Sequence, residues 1–143
     1  MSTWKTILVG VDGSRGSRKA LTWAAAEAAE HGAELIVVQV WERAMPAAAG
    51  TPSVPAHDGA ETSQDAADEL VQIIKDELGE DPPVVAQPRV KRGRPAEVLI
   101  EESAAANLLV VGTRGHGGFA GLLLGSVSQH VAAYAQCPVT VVR

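Results

Sequence analysis

The sequence has a single cysteine, few aromatic side chains and no surplus of positive charge. With only Cys137 present, an intrachain disulfide is excluded, and a reducing compartment, the cytoplasm, is the expected location. Aromatic residues make up 3% of the chain, so the core has to be aliphatic, built from Val, Leu, Ile and Ala. The formal net charge of -5 removes the basic footprint that nucleic-acid and membrane-surface binders use. A small anion held by backbone N–H groups remains compatible with that charge. No apolar run reaches the length of a membrane helix. Met1-Ser2-Thr3-Trp4-Lys5 leads directly into a strand-like run, without the pattern of a signal peptide. Neither a nucleic acid nor a membrane is therefore expected as a partner.

The 143 residues fit one domain over 1–143, large enough to bury a core without staples. Apolar residues account for 46% and charged residues for 20%, a globular balance. Thr6-Ile7-Leu8-Val9-Gly10-Val11 is a continuous apolar run, as in a strand buried on both faces. Asp12-Gly13-Ser14 ends it and offers a helix N-cap. Leu21, Ala24, Ala25 and Ala28 recur at helical spacing until His31-Gly32 stops the helix. Leu35 to Val40 reads as the second strand. Glu42 to Asp58, with Pro46, Pro52 and Pro55, has no periodicity and is expected to be a long loop, of a kind that is often functional or mobile.

Thr62-x-x-Asp65 can cap a second helix, whose expected apolar stripe is Ala67, Leu70, Val71, Ile74 and Leu78. Val84 to Val90 reads as a third strand, and Pro88 puts it at a sheet edge. Pro95 opens a third helix through Val98 and Leu99 that is expected to continue over Ala104 to Ala106. Leu108 to Val111 is the fourth strand. A glycine-rich loop follows, then a short helix with Val127, Val131 and Tyr134 expected on one face, and Pro138 to Val142 as the last strand. This alternation predicts an α/β fold: an open five-stranded parallel sheet with helices on both faces.

Ligands of such sheets sit beyond the carboxyl ends of the strands. Here those ends carry Asp12, Val40 and the run Gly112-Thr113-Arg114-Gly115-His116-Gly117-Gly118. Glycines let a ligand approach the main chain closely, and successive N–H groups form an anion-binding concavity. Gly125-Ser126 then opens a helix, whose first N–H groups and dipole favour a phosphate. The loop is not a Walker A motif, since it lacks Gly-Lys-Ser/Thr. Nor is it a dinucleotide fingerprint, since Ala120 stands where the last glycine would be.

Taken together, Ile7 to Ser14, Gly93-Arg94-Pro95-Ala96, Val110 to Gly115, Gly125-Ser126-Val127-Ser128 and Cys137 to Val142 resemble the universal stress protein family along the whole chain. The resemblance implies a Rossmann-like sheet of the adenine nucleotide alpha hydrolase type, in strand order 3-2-1-4-5. The frame Gly-x2-Gly-x9-Gly-Ser, from Gly112 through Gly115 to Gly125 and Ser126, implies the ATP-binding subgroup. On that pattern Val11 and Asp12 lie near ribose and adenine, and Val40 offers its main chain to the adenine edge. Gly112, Thr113, Arg114, Gly115, Gly125, Ser126, Val127 and Ser128 surround ribose and phosphates. Thr113 stands where relatives often carry serine and keeps the hydroxyl. Magnesium would come with the phosphates, with Asp12 as its protein contact.

The resemblance also implies a homodimer through Val139, Thr140, Val141 and Val142, and a role in stress and dormancy. No residue is assigned as catalytic, because neither a general base nor an arginine finger is evident. Slow ATP hydrolysis at most is expected. Binding of another adenine nucleotide such as cyclic AMP, or a weak ATPase using Asp12, His116 and Ser126, are the alternatives. Lys91, Arg92 and Arg94 are expected on a solvated face, His130 half-buried, and Cys137 as a small buried hydrophobe.

Overall fold

A computed structural model of the chain describes residues 4–41, 62–113 and 124–143. The element order is β1 Thr6–Val11, α1 Arg15–His31, β2 Glu34–Trp41, α2 Ser63–Leu78, β3 Ala86–Arg92, α3 Pro95–Ser103, β4 Leu108–Gly112, α4 Ser126–Tyr134 and β5 Val139–Val142. The strands form one parallel sheet in the order β3-β2-β1-β4-β5. Strand order reverses at β1, which lies between β2 and β4, so the switch point falls between β1 and β4.

Alternation along the strands divides the core in two. Ile7, Val9, Val11, Leu35, Val37 and Val110 face α1 and α2, joined there by Leu21, Ala24, Ala25, Ala28, Leu70 and Ile73. Leu8, Ile36, Val38, Leu109 and Val111 face the other way, toward Leu99 of α3 and Val131 of α4. The three central strands are apolar on both sides because helices cover both sides. The edge strands are less buried, and all four β5 residues are partly exposed.

Local signals explain the element ends. Ser14 caps α1 by accepting the Ser17 N–H, and Gly32 closes the helix in the left-handed conformation at φ 65°. Thr62 and Asp65 form the expected reciprocal capping box on α2. Pro95 occupies the first turn of α3, and Pro88 sits on the β3 edge strand.

Five expectations are corrected. The buried stripe of α2 is Ala66, Leu70 and Ile73, with Ile74 and Leu78 partly buried and Val71 exposed. The stripe is rotated from the expected one because Ala66 and Ile73 point at the sheet. The third helix ends at Ser103. Ala104, Ala105 and Ala106 instead make tight i to i+3 bonds to Glu101, Glu102 and Ser103, a turn that brings Ala106 against the core. The third strand runs from Ala86 to Arg92, two residues later than expected, because all seven residues pair with Leu35 to Trp41. On α4, Val131 is buried, Val127 packs on the core and Tyr134 is 66% exposed. His130 is exposed rather than half-buried, its ring 5.2 Å from that of Tyr134 on the outer face.

Candidate functional site

The carboxyl ends of all five strands lie along one edge of the sheet, and the turns that follow them build the candidate site. At the end of β1, Val11 is buried and Asp12 half-buried. Asp12 Oδ1 accepts the Ser14 N–H at 2.9 Å, so its carboxylate shapes the turn into α1. The Asp12 N–H donates to Ser17 Oγ at 3.2 Å, and that hydroxyl donates to the Ser14 carbonyl at 3.0 Å. Gly13 takes φ 85°, a conformation that glycine reaches without strain.

At the end of β2, Val40 packs on the α3/α4 side of the sheet. Trp41 follows it, with the Arg92 guanidinium 5.4 Å from its ring centroid. Its indole Nε1 is buried without a hydrogen-bond partner among the described residues. The Trp41 carbonyl accepts the Gly93 N–H at 3.0 Å, tying the end of β2 to the turn into α3. Gly93 adopts φ 143°, where a side chain would be strained.

The β4 end is the most constrained part. The Thr113 N–H donates to the Val142 carbonyl at 3.1 Å, and the Thr113 carbonyl accepts the Gly125 N–H. The buried Ser128 hydroxyl reaches the same Thr113 carbonyl at 2.7 Å and the Gly125 carbonyl at 3.2 Å. These bonds clamp the start of α4 onto the end of β4. Gly125 is the N-cap of α4, and among the described residues no side chain caps that helix, in contrast to α1 and α2. Its first turn holds no acidic residue. Ser126, the first helical residue, is exposed. The result is a helix N-terminus anchored at the switch point, the kind of feature whose N–H groups and dipole favour an anion.

The structure thus gathers Val11, Asp12, Val40, Gly112, Thr113, Gly125, Ser126, Val127 and Ser128 at one sheet edge. Arg114, Gly115 and His116 lie outside the described residues, as does the Glu42 to Asp58 loop. The basic run before α3 divides three ways. Lys91 and Arg89 both pair with Glu102, Arg92 stacks on Trp41, and Arg94 lies 3.8 Å from Glu97 on an exposed face. Sequence reasoning missed Trp41, although it directly follows Val40. It also missed the Val142 carbonyl, which no side-chain pattern could reveal. Among the described residues no group of three His, Cys, Asp or Glu side chains could hold a metal ion. No helix is long and apolar enough to cross a membrane, among the described residues.

A doubly wound parallel sheet with a helix N-terminus anchored at its switch point defines an α/β protein of the Rossmann-like class. Comparison with known proteins gives the family. The model of the universal stress protein family matches residues 3–143. A universal stress protein of Mycolicibacterium smegmatis is 39% identical over 137 residues, covering 96% of this chain and 45% of that longer protein. The chain therefore spans about half the length of the mycobacterial relatives it matches. A universal stress protein of Thermus aquaticus is 36% identical over 146 residues, covering 98% of this chain and 99% of its own. A universal stress protein solved in complex with cAMP is 27% identical, covers 99% of each chain and superposes with a TM-score of 0.69. The chain belongs to the universal stress protein family.

Proposed function

We propose that this chain is an ATP-binding universal stress protein, a nucleotide-responsive factor of stress and dormancy that acts in the cytoplasm and hydrolyses ATP slowly at most. The observation that carries the reading is the clamp on α4. Thr113, Gly125 and Ser128 hold an uncapped helix N-terminus beside Asp12 and Val40. Phosphates at Ser126 and Val127 meet N–H donors and the helix dipole together. Adenine lies against the main chain at Val40, and ribose beside Val11 and Asp12. Arg114 and Gly115 would complete the phosphate loop. Magnesium, when bound, would neutralise phosphate charge, with Asp12 as its protein contact. Slow turnover is expected because the site offers hydrogen bonds and a dipole without an evident base to activate water. The chain forms a homodimer through Val139, Thr140, Val141 and Val142, whose strand is a sheet edge.

A second reading is favoured by one observation: the relative solved with cAMP covers 99% of this chain. Backbone N–H groups accept any phosphate, so the cradle itself does not choose among adenine nucleotides. Calorimetry with ATP, ADP, AMP and cyclic AMP on the purified protein tests both readings. ATP binding in the micromolar range is expected, weakened by Asp12→Ala. Heat with cyclic AMP alone establishes the second reading, and no heat with any nucleotide overturns both.

A further inference from the structure

We propose that a cationic basin beside the phosphate cradle, formed by Arg15, Lys19 and Arg143, receives the outer phosphates of the nucleotide and makes this chain selective for a nucleoside triphosphate. This rests on the adenine-nucleotide reading above and adds to it the source of discrimination.

The basin opens between the first turns of α1 and the end of β5. Gly13, Arg15, Lys19, Val142 and Arg143 line it, together with Thr22 and Trp23 of α1 and the acidic Glu77 of α2. Arg18 lines it too, but its guanidinium is engaged by Glu77 at 3.2 Å and lies 3.9 Å from Asp76. Arg15, Lys19 and Arg143 are exposed and make no ion pair among the described residues. This concentration of positive charge stands out on a chain of net charge -5. Its placement is also electrostatically unfavourable without an anion. Arg15 sits in the first turn of α1, at the positive end of its dipole, and that turn carries no acidic residue.

Position links the basin to the candidate site. Gly13 follows Asp12 directly. The Val142 carbonyl accepts the Thr113 N–H at 3.1 Å, so the residue that lines the basin is hydrogen-bonded to the residue that begins the phosphate loop. On the other side, Gly112 packs against the Gly16 backbone at the start of α1. The ends of β4 and β5 and the first turn of α1 are thus one packed corner. The first phosphate of a nucleotide is met by the α4 N-terminus. Each further phosphate adds negative charge and length toward Arg15 and Arg143, with Lys19 one helical turn below. AMP and cyclic AMP carry no such extension.

The test is calorimetry of ATP, ADP and AMP binding to the wild type and to the triple variant Arg15→Gln, Lys19→Gln, Arg143→Gln. Thermal melting checks that these exposed substitutions leave the fold intact. Wild type is expected to bind ATP at least tenfold more tightly than AMP. The triple variant should lose that preference while its AMP affinity stays within twofold. Added salt should weaken ATP binding to the wild type more than AMP binding. Equal affinities for ATP and AMP in the wild type would overturn the proposal, as would a triple variant that keeps the ATP preference. A parallel loss for both ligands would also overturn it. Absence of binding by ATP, ADP and AMP alike to the wild type would instead strike at the nucleotide site itself.

Discussion

A Cβ built on Gly112 would stand 2.7 Å from both the carbonyl carbon and the carbonyl oxygen of Gly16. The glycine that ends β4 is therefore required by the fold before any ligand is considered. It lets the first turn of α1 close on the sheet, which in turn sets the separation of Asp12 from Thr113. At Gly10, by contrast, an added Cβ meets the tip of the Leu99 side chain at 2.9 Å, and that tip can rotate away.

Gly112→Ala should consequently destabilise the protein more than Gly10→Ala does. Overpacking against backbone has no cheap relaxation and costs about 1–3 kcal/mol. Urea denaturation of the two variants beside the wild type measures the difference. Equal stabilities for the two variants would show that α1 moves more freely than its packing implies.

Ser128→Ala removes the hydroxyl that holds the Thr113 carbonyl at 2.7 Å. The group is buried, so about 1–2 kcal/mol of stability should be lost. Because this bond fixes α4 onto the end of β4, nucleotide affinity should fall as well. Ser126→Ala provides the contrast: Ser126 is exposed, so stability should hold while any effect appears in affinity. Chemical denaturation and nucleotide calorimetry on both variants separate the roles.

Thr62→Ala removes the half of the capping box in which the Thr62 hydroxyl accepts the Asp65 N–H, leaves the backbone N–H of residue 62 in place, and should cost about 1 kcal/mol in thermal unfolding. Asp65→Ala should remove the other half, in which its carboxylate accepts the Thr62 N–H, and cost less, because the Thr62 hydroxyl still caps the helix. A Thr62→Ala variant as stable as the wild type would mean that α2 is held by packing alone.

Much of this architecture was readable from local signals that carry their own physical cause. Ser14, Gly32, Thr62, Asp65 and Pro95 each act at the position where the sequence puts them, because caps depend on neighbours three or four residues away. Pro88 marked an edge strand for a similarly local reason. The failures are tertiary. Val71 and Ile73 are both apolar, and only the direction of the sheet decides that Ile73 is buried. Ala104 to Ala106 have good helix propensity, yet the chain must turn there so that Asn107 can accept the Lys5 and Thr6 N–H groups at 2.9 Å. In the candidate site, glycine spacing pointed to the turn between β4 and α4. The ring of backbone bonds from Val142 through Thr113 to Gly125 leaves no mark on side-chain identity, nor does the steric demand of Gly16 on Gly112.

Cys137 offers a test by chemistry. Burial pushes its thiol pKa up, and a hydrogen bond with the Leu109 backbone opposes that only in part. The thiolate is the reactive form, so alkylation by iodoacetamide at pH 8 should be slower in the folded protein than in urea. The same shift sets the sign of the pH dependence. The unfolded thiol ionises first, so this contribution is fully present below the unfolded pKa and is lost as pH rises through the folded value. Cys137→Ser should flatten the alkaline side of the stability profile. A folded-state alkylation rate equal to that in urea would count against the burial of this sulfur.

The proposed homodimer can be tested through the phase of the β5 ladder. The Leu109 N–H donates to the Pro138 carbonyl and the Thr113 N–H to the Val142 carbonyl, at 2.9 and 3.1 Å. In a parallel pair the residues of one strand alternate between facing their neighbour and facing away. Thr140 and Val142 therefore face β4 with their backbone groups, and Val139 and Val141 present theirs to the open edge. Proline at position 141 deletes an outward N–H while sparing the bonds to β4. Val141→Pro should shift the protein from dimer to monomer in analytical ultracentrifugation, with its circular dichroism spectrum retained. Proline at position 140 should instead break the ladder to β4 and lower the melting temperature. If Val141→Pro stays dimeric while folded, the subunits meet through another surface, and β5 is left as an edge that its own chain must protect.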